Sequence, residues 1–215
     1  MPLAKFIRDV QKINEAIPTP GAIVYNATAA KILRKPERKM ANDVVKKMES
    51  GTILDLGSGT GYLSVEIAKR APSLQVYGID LSRQMVKIAR RHAKGVENVQ
   101  FEFGSVADLP FEDDSIDFIV STGSLHHWKK PTKAFDECYR VLKISKEAWI
   151  FDGCAEAAKQ YGFPRGLILR KILEAHGFTL AEYKSEIKNI LEQTKFKDSY
   201  RMKQTDIWMK ITLKK

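Results

Sequence analysis

The sequence predicts an α/β fold, a mostly parallel sheet with helices on both faces, and three observations carry that prediction. Strand-like, largely apolar stretches recur at 52–54, 74–79 and 116–120, the first without polar alternation, as a strand buried on both faces of a parallel sheet requires. Amphipathic helical stretches at 62–70, at 83–94 and after Pro131 separate them, which is the alternation of βα units. The first run ends in Asp55 and a turn with glycines at 57, 59 and 61. Such a turn brings backbone N–H groups against a ligand at the start of the next helix.

The glycine turn has several readings. Strand, glycine turn and helix also open dinucleotide domains, but their G-x-G-x-x-G pattern places the third glycine where Tyr62 stands here. A tight turn with no ligand is the structural alternative. The next apolar run closes in Asp80, about twenty residues after the first glycine, where a strand-end carboxylate accepts ribose hydroxyls in nucleotide-binding βαβ units. Ser82 fits an N-cap for helix 83–94 and Gly95 its C-cap. Met85 either packs in the core or lies on an adenine face.

Bulk composition bounds the partners. At 215 residues the chain is expected to be one domain with its own core. It has neither a long apolar span nor a signal-peptide start, so a cytoplasmic protein is expected. Cys138 and Cys154 lack the number and spacing of a disulfide framework or metal site and are read as reduced and structural. The formal net charge of +10 attracts anionic partners, but the basic residues are interspersed with acidic ones, for example over 31–47 and 184–215. That pattern predicts a solvated lysine-rich surface.

Along the chain, Phe6, Val10 and Ile13 mark an amphipathic helix that stops before Pro18. A Lys/Arg-rich helix interrupted by Pro36 and a second helix over 38–48 are expected next. Strands are expected at 99–103, at 148–151 and, as a terminal pair, at 199–202 and 207–213, with a helix at 182–194. Between them, 154–178 reads as a helical lid.

Three segments carry a family resemblance. D-x-G-x-G-x-G over 55–61 resembles motif I of class I S-adenosylmethionine (SAM) methyltransferases. Ala107-Asp108-Leu109-Pro110-Phe111 resembles the G-D-A-x-x-L-P-F segment of small-molecule methyltransferases related to the menaquinone and ubiquinone C-methylating enzymes, the methyltransferase domain 11/25 group. S-x-x-x-L-H-H-W over 121–128 resembles that group's loop after the fourth strand. Where the family has P-G-G after the following helix, this chain has Ile144-Ser145-Lys146.

The resemblance implies a Rossmann-like, seven-stranded sheet. It implies one methyltransferase domain over 1–215: a helical cap at 1–50, a SAM-binding core at 51–152, a helical lid at 153–180, and the last core helix with antiparallel strands at 181–215. The implied cofactor residues are Asp55, Gly57, Gly59 and Gly61 at the turn, Asp80, Leu81 and Met85 after the second strand, Ser105 and Val106 near adenine, Ser121 after the fourth strand, and Tyr25 in the lid. Ser105 stands where the family's aspartate takes the adenine amino group. His127, placed ahead of His126, is expected on the acceptor side, since a group titrating near neutrality suits proton removal. The two are not read as metal ligands, because adjacent loop side chains diverge and no third ligand stands at the right spacing.

The implied activity is methyl transfer from SAM, released as S-adenosylhomocysteine, to a small-molecule acceptor whose accepting atom is open. An RNA- or protein-directed enzyme is the alternative, although the N/D-P-P-Y loop of enzymes that attack exocyclic amines is not present. A non-catalytic SAM-binding subunit is the other. No membrane span is expected, and the oligomeric state is left open.

Overall fold

A computed structural model describes residues 29–153, 180–205 and 208–215. The expected N-terminal helix, Tyr25, Cys154 and the 154–178 lid lie outside the described residues. In chain order the elements are α1 (Ala29–Lys47), β1 (Gly51–Leu56), α2 (Tyr62–Arg70), β2 (Leu74–Asp80), α3 (Arg83–His92), β3 (Val99–Phe103), β4 (Ile116–Thr122), a 3₁₀ turn (Leu125–His127), α4 (Pro131–Val141), β5 (Leu142–Gly153), α5 (Leu180–Leu191), β6 (Tyr200–Thr205) and β7 (Trp208–Lys214).

The strands form one seven-stranded sheet in the order β3-β2-β1-β4-β5-β7-β6. Strands β1 to β5 are parallel, and β7 runs antiparallel between β5 and β6. Because successive strand side chains alternate between faces, each strand feeds two cores. Ile53, Phe118, Phe151 and Trp208 join the core under α1, α2 and α3. Their neighbours Leu54, Ile119, Ile150 and Met209 join the one under α4 and α5. Both faces are therefore covered, which is why the central strands read as continuous apolar runs.

Two expectations about boundaries are corrected. Pro36 does not divide the N-terminal region, since α1 is one helix running through it. A proline inside a helix forfeits a backbone hydrogen bond at about 3 kcal/mol. Pro36 is buried, and the packing of α1 on α2 offsets that loss. The fifth strand is also longer than its apolar stretch, starting at Leu142 without a break from α4. It passes through Ser145, which takes φ 64° where the resembling family carries glycine.

A left-handed residue other than glycine costs about 1 to 2 kcal/mol. Ser145→Gly removes that strain while adding chain entropy to the unfolded state. A net gain of roughly 0.5 to 1 kcal/mol in urea denaturation is expected. Loss of stability in this variant would show that the Ser145 side chain is needed at the turn.

Candidate functional site

The site begins where β1 ends. Gly57, Gly59 and Gly61 all have left-handed φ, at 65°, 53° and 74°, but the space around them differs. A Cβ on Gly57 would meet the Ser124 side chain at 2.5 Å, and one on Gly61 would meet the Phe101 ring at 2.6 Å and Ala89 Cβ at 2.8 Å. A Cβ on Gly59 would meet nothing within 4 Å. The outer two glycines are required by packing, and the middle one lies against open space. Helix α2 starts at this turn, and its N-cap, Gly61, offers no side chain to accept from the first N–H groups.

Two aspartates frame the turn. Asp80 accepts the Gly59 N–H on Oδ2 and the Ser82 N–H on Oδ1, both at 2.8 Å. It therefore holds the turn in place. Burial raises its pKa, and the two N–H donors act against that rise. Asp55 is 1% exposed, and its Oδ2 accepts the Ser64 hydroxyl at 2.5 Å. Its Oδ1 finds no partner among the described residues, nor does the buried Ser58 Oγ at the same turn. Burial, helped by the Asp80 charge and opposed by Ser64, pushes Asp55 up to about 7.

Sequence reasoning missed Glu37. Burial and the neighbouring Asp55 charge push its carboxyl up to about 8, with Arg34 acting in the other direction. The available signal was a lone acid one turn ahead of Met40, Ala41 and Val44, the stripe by which α1 enters the core.

The residues expected near adenine separate. Leu81 is half-buried and stands directly after Asp80. Met85 is 1% exposed and packs in the interior, so its side chain has no free face for adenine. Ser105 Oγ accepts the Ala107 N–H at 3.2 Å, and Ser105 O accepts the Asp108 N–H. The hydroxyl thus shapes the loop that presents Val106. Glu137 closes the same loop by accepting the Leu109 N–H at 2.8 Å.

The loop after β4 is tied to the end of β1. Ser121 is fully buried and donates to Leu56 O at 2.7 Å, so its side chain is structural and does not face a ligand. Ser124 Oγ lies 2.8 Å from Ser121 Oγ and accepts the Trp128 indole N–H at 3.1 Å. This brace sets the 3₁₀ turn carrying His126 and His127, whose rings lie 4.1 Å apart.

The carboxylate belongs to His126. Asp152, 1% exposed at the end of β5, contacts His126 Nδ1 through Oδ1 at 2.8 Å. Its Oδ2 accepts the His126 backbone N–H at 3.0 Å and the Tyr183 hydroxyl at 2.8 Å. Since an ionised carboxylate only accepts, Nδ1 carries the proton in the neutral ring and Nε2 is the ring's acceptor. Asp152 and Tyr183 had no sequence signal, because they come from β5 and α5, far along the chain from the histidines. Tyr25, the expected lid residue, lies outside the described residues.

Comparison with known proteins places this arrangement. A methyltransferase domain family matches residues 53–145. A demethylmenaquinone methyltransferase of Clavibacter sepedonicus is 40% identical over 91 residues, 42% of this chain and 36% of that protein. The chain thus spans about a third of that relative's length. A crystal structure from Methanococcus maripaludis, described as an S-adenosyl-L-methionine-dependent methyltransferase, superposes with a TM-score of 0.77 at 23% identity, covering 93% of this chain and 94% of the other. The plantazolicin methyltransferase BpumL in complex with S-adenosylhomocysteine gives a TM-score of 0.67 at 14% identity, covering 99% and 98%. Residues 53–145 thus match a methyltransferase domain family, part of the chain resembles a demethylmenaquinone methyltransferase, and the chain shares the fold of a protein described as an S-adenosyl-L-methionine-dependent methyltransferase.

The glycines divide by the space they face. Gly61→Ala combines a left-handed alanine with overlap of Phe101 and is expected to cost about 3 kcal/mol or more. Gly59→Ala should cost about 1 to 2 kcal/mol from backbone strain alone and act mainly on ligand affinity. Denaturation curves paired with calorimetric S-adenosylhomocysteine titrations check both. Equal stability losses would contradict the division.

The raised carboxyls set the pH response of the ligand-free protein. Glu37 and Asp55 each bind a proton more tightly folded than unfolded, so their contribution is complete at low pH and is lost as pH rises toward about 8 and about 7. The thermal midpoint should fall between about pH 5 and 8, and Glu37→Gln with Asp55→Asn should flatten the fall. Glu137, held low by its hydrogen bonds from Arg140, acts in the opposite sense at the acid end. A midpoint that rises through the window in the wild-type protein would refute the protonated pair.

Proposed function

We propose that this protein transfers the methyl group of SAM to a small-molecule acceptor at the carboxyl edge of its sheet. The observation that carries the reading is the glycine turn itself. It faces open space at Gly59, is held by Asp80, and keeps two buried polar atoms, Asp55 Oδ1 and Ser58 Oγ, without partners among the described residues. Buried polar groups without partners cost stability and mark places where a ligand completes the bonding.

The residues fit the cofactor by chemistry. Asp80 has lone pairs left for ribose hydroxyls beyond its two backbone bonds, and Leu81 and the Val106 backbone border the base. The uncapped N-terminus of α2 suits a carboxylate. When bound, SAM supplies an already activated methyl group on a sulfonium. The protein's part is then to align the acceptor, which contributes several kcal/mol at near-attack distance, and to take a proton where the acceptor must lose one.

His126 suits that second task. Asp152 orients its ring and fixes Nε2 as the acceptor, the arrangement by which a carboxylate prepares a histidine for general-base work. His127 shares the turn and is the second choice. The relative named above as a demethylmenaquinone methyltransferase favours a quinone-type acceptor.

A nucleic-acid acceptor has one observation in its favour. Arg83, Lys87, Arg90, Arg91 and Lys94, with the exposed Phe103, line a groove of about 500 Å³ along α3. The Arg83 guanidinium lies 4.0 Å over the Phe103 ring, and 83–94 contains no acidic residue. Interspersed in sequence as a whole, basic residues are gathered on this helix face, as phosphate binding requires.

S-adenosylhomocysteine formation with cell-extract fractions, before and after nuclease treatment, separates the two readings. Activity that survives nuclease and follows low-molecular-mass fractions supports the first. Once an acceptor is identified, His126→Ala should lower kcat by about 10²-fold or more with S-adenosylhomocysteine affinity retained. Asp152→Asn should lower it less. Near-normal turnover in both His126→Ala and His127→Ala would remove the general base and leave alignment as the catalytic device.

A further inference from the structure

We infer that the exposed face of α3, together with Phe103 at the end of β3, is a docking groove for single-stranded nucleic acid. The groove stands apart from the histidine turn. β3 is the edge strand of the sheet, three strand spacings or about 14 Å from β4, so docking there does not depend on which acceptor is methylated.

Helical spacing builds one wall. Arg83, Lys87, Arg90 and Arg91 stand at i, i+4, i+7 and i+8, and Lys94 extends the row into the turn beyond the helix. All five are exposed, while Met85, Val86, Ile88 and Ala89 face the core. Positive charge therefore recurs about once per helical turn, or every ~5.4 Å. The strand is the other wall. Val99 and Phe101 are buried in the core on this side of the sheet, and strand alternation puts Phe103 on the same face and Glu102 on the opposite one. Phe103 stays 44% exposed, and the groove between the walls holds about 500 Å³.

Two features select the occupant. The first is that these cations are not neutralised. Elsewhere Arg70 pairs with Glu66, Arg140 with Glu137 and Asp113, Lys143 with Asp117 and Lys215 with Asp114. Among the described residues none of the five groove cations pairs with a carboxylate, and Arg90 Nε donates instead to Phe101 O at 2.9 Å. An uncompensated row in a concave site calls for a ligand with an anionic group at every step. The second feature is the platform at one end of the groove, where the Arg83 guanidinium lies 4.0 Å over the Phe103 ring. Aromatic rings and guanidinium planes are the surfaces on which unpaired bases stack. A duplex keeps its bases in its own stack, a membrane surface is too broad to enter the groove, and an acidic peptide carries no flat group beside each charge. One extended strand satisfies both features.

Fluorescence anisotropy of the full chain with a labelled single-stranded RNA of mixed sequence, about ten nucleotides long, tests this. The association constant should fall with salt at a log-log slope of about −3, as four or five neutralised phosphates at ~0.7 each give for a single strand. Combining Lys87→Gln with Arg91→Gln should weaken binding about tenfold and make the slope shallower by about 1.4. Phe103→Ala should weaken binding about fivefold or more at an unchanged slope, and Phe103→Trp should retain it. The same sequence as a duplex should bind about tenfold more weakly. A thermal melt confirms that each variant is folded, and S-adenosylhomocysteine affinity in the charge variant should stay within about twofold of wild type.

The inference is overturned if the strand does not bind at low salt, or if the charge variant keeps both the wild-type affinity and slope. A duplex that binds as tightly as the strand overturns it too, as does Phe103→Ala without effect. Tighter binding to anionic phospholipid vesicles than to the strand overturns it in favour of a membrane face. Strand binding as expected, by a protein that does not bind S-adenosylhomocysteine, supports the groove and overturns the SAM reading alone.

Discussion

The parallel pairing of β1 with β2 on one side and β4 on the other is the constraint on which the site depends. Parallel strands bring all their carboxyl ends to one edge, and the chain leaves β1 toward both flanks, which opens a crevice there. The glycine turn after β1, Asp80 after β2 and the serine-braced loop after β4 meet at that edge for this reason. Asp152, at the end of β5, arrives by the same rule. None of these groups is near the others in sequence except through the sheet.

Burial determines what the converging groups can do. Asp55 is enclosed beneath α2 with one oxygen bound by Ser64 and the other without a described partner. Asp80 is only half-buried, and two backbone N–H groups satisfy it. Similar side chains at neighbouring strand ends thus differ in function: Asp80 organises the turn, whereas Asp55 keeps unspent bonding capacity. Helix α1 adds to this by placing Glu37 on the same region.

At the other end of the crevice, hydrogen bonds and not burial distinguish the residues. Ser121 and Ser124 tie the post-β4 loop to Leu56 O, which keeps them from a ligand but makes the loop rigid. A rigid loop is what allows Asp152 and Tyr183 to hold His126 in one orientation. Adjacent histidines of equal chemical character are thereby made unequal by a carboxylate from another strand.

The sequence by itself determined the α/β class, the parallel core and the glycine turn with its acidic flanks. Those signals are local: apolar runs buried on both faces, glycine spacing, and acids at strand ends. Met85 and Ser121 also carried a local signal, but the interior claimed them for packing and bracing. Continuous helix through Pro36 escaped the sequence because only contact with α2 offsets the lost hydrogen bond. The pairing of His126 with Asp152 and the approach of Glu37 to Asp55 were decided by tertiary structure alone. Each joins residues whose distance is set by how helices and strands pack, and no run of neighbouring residues encodes that distance.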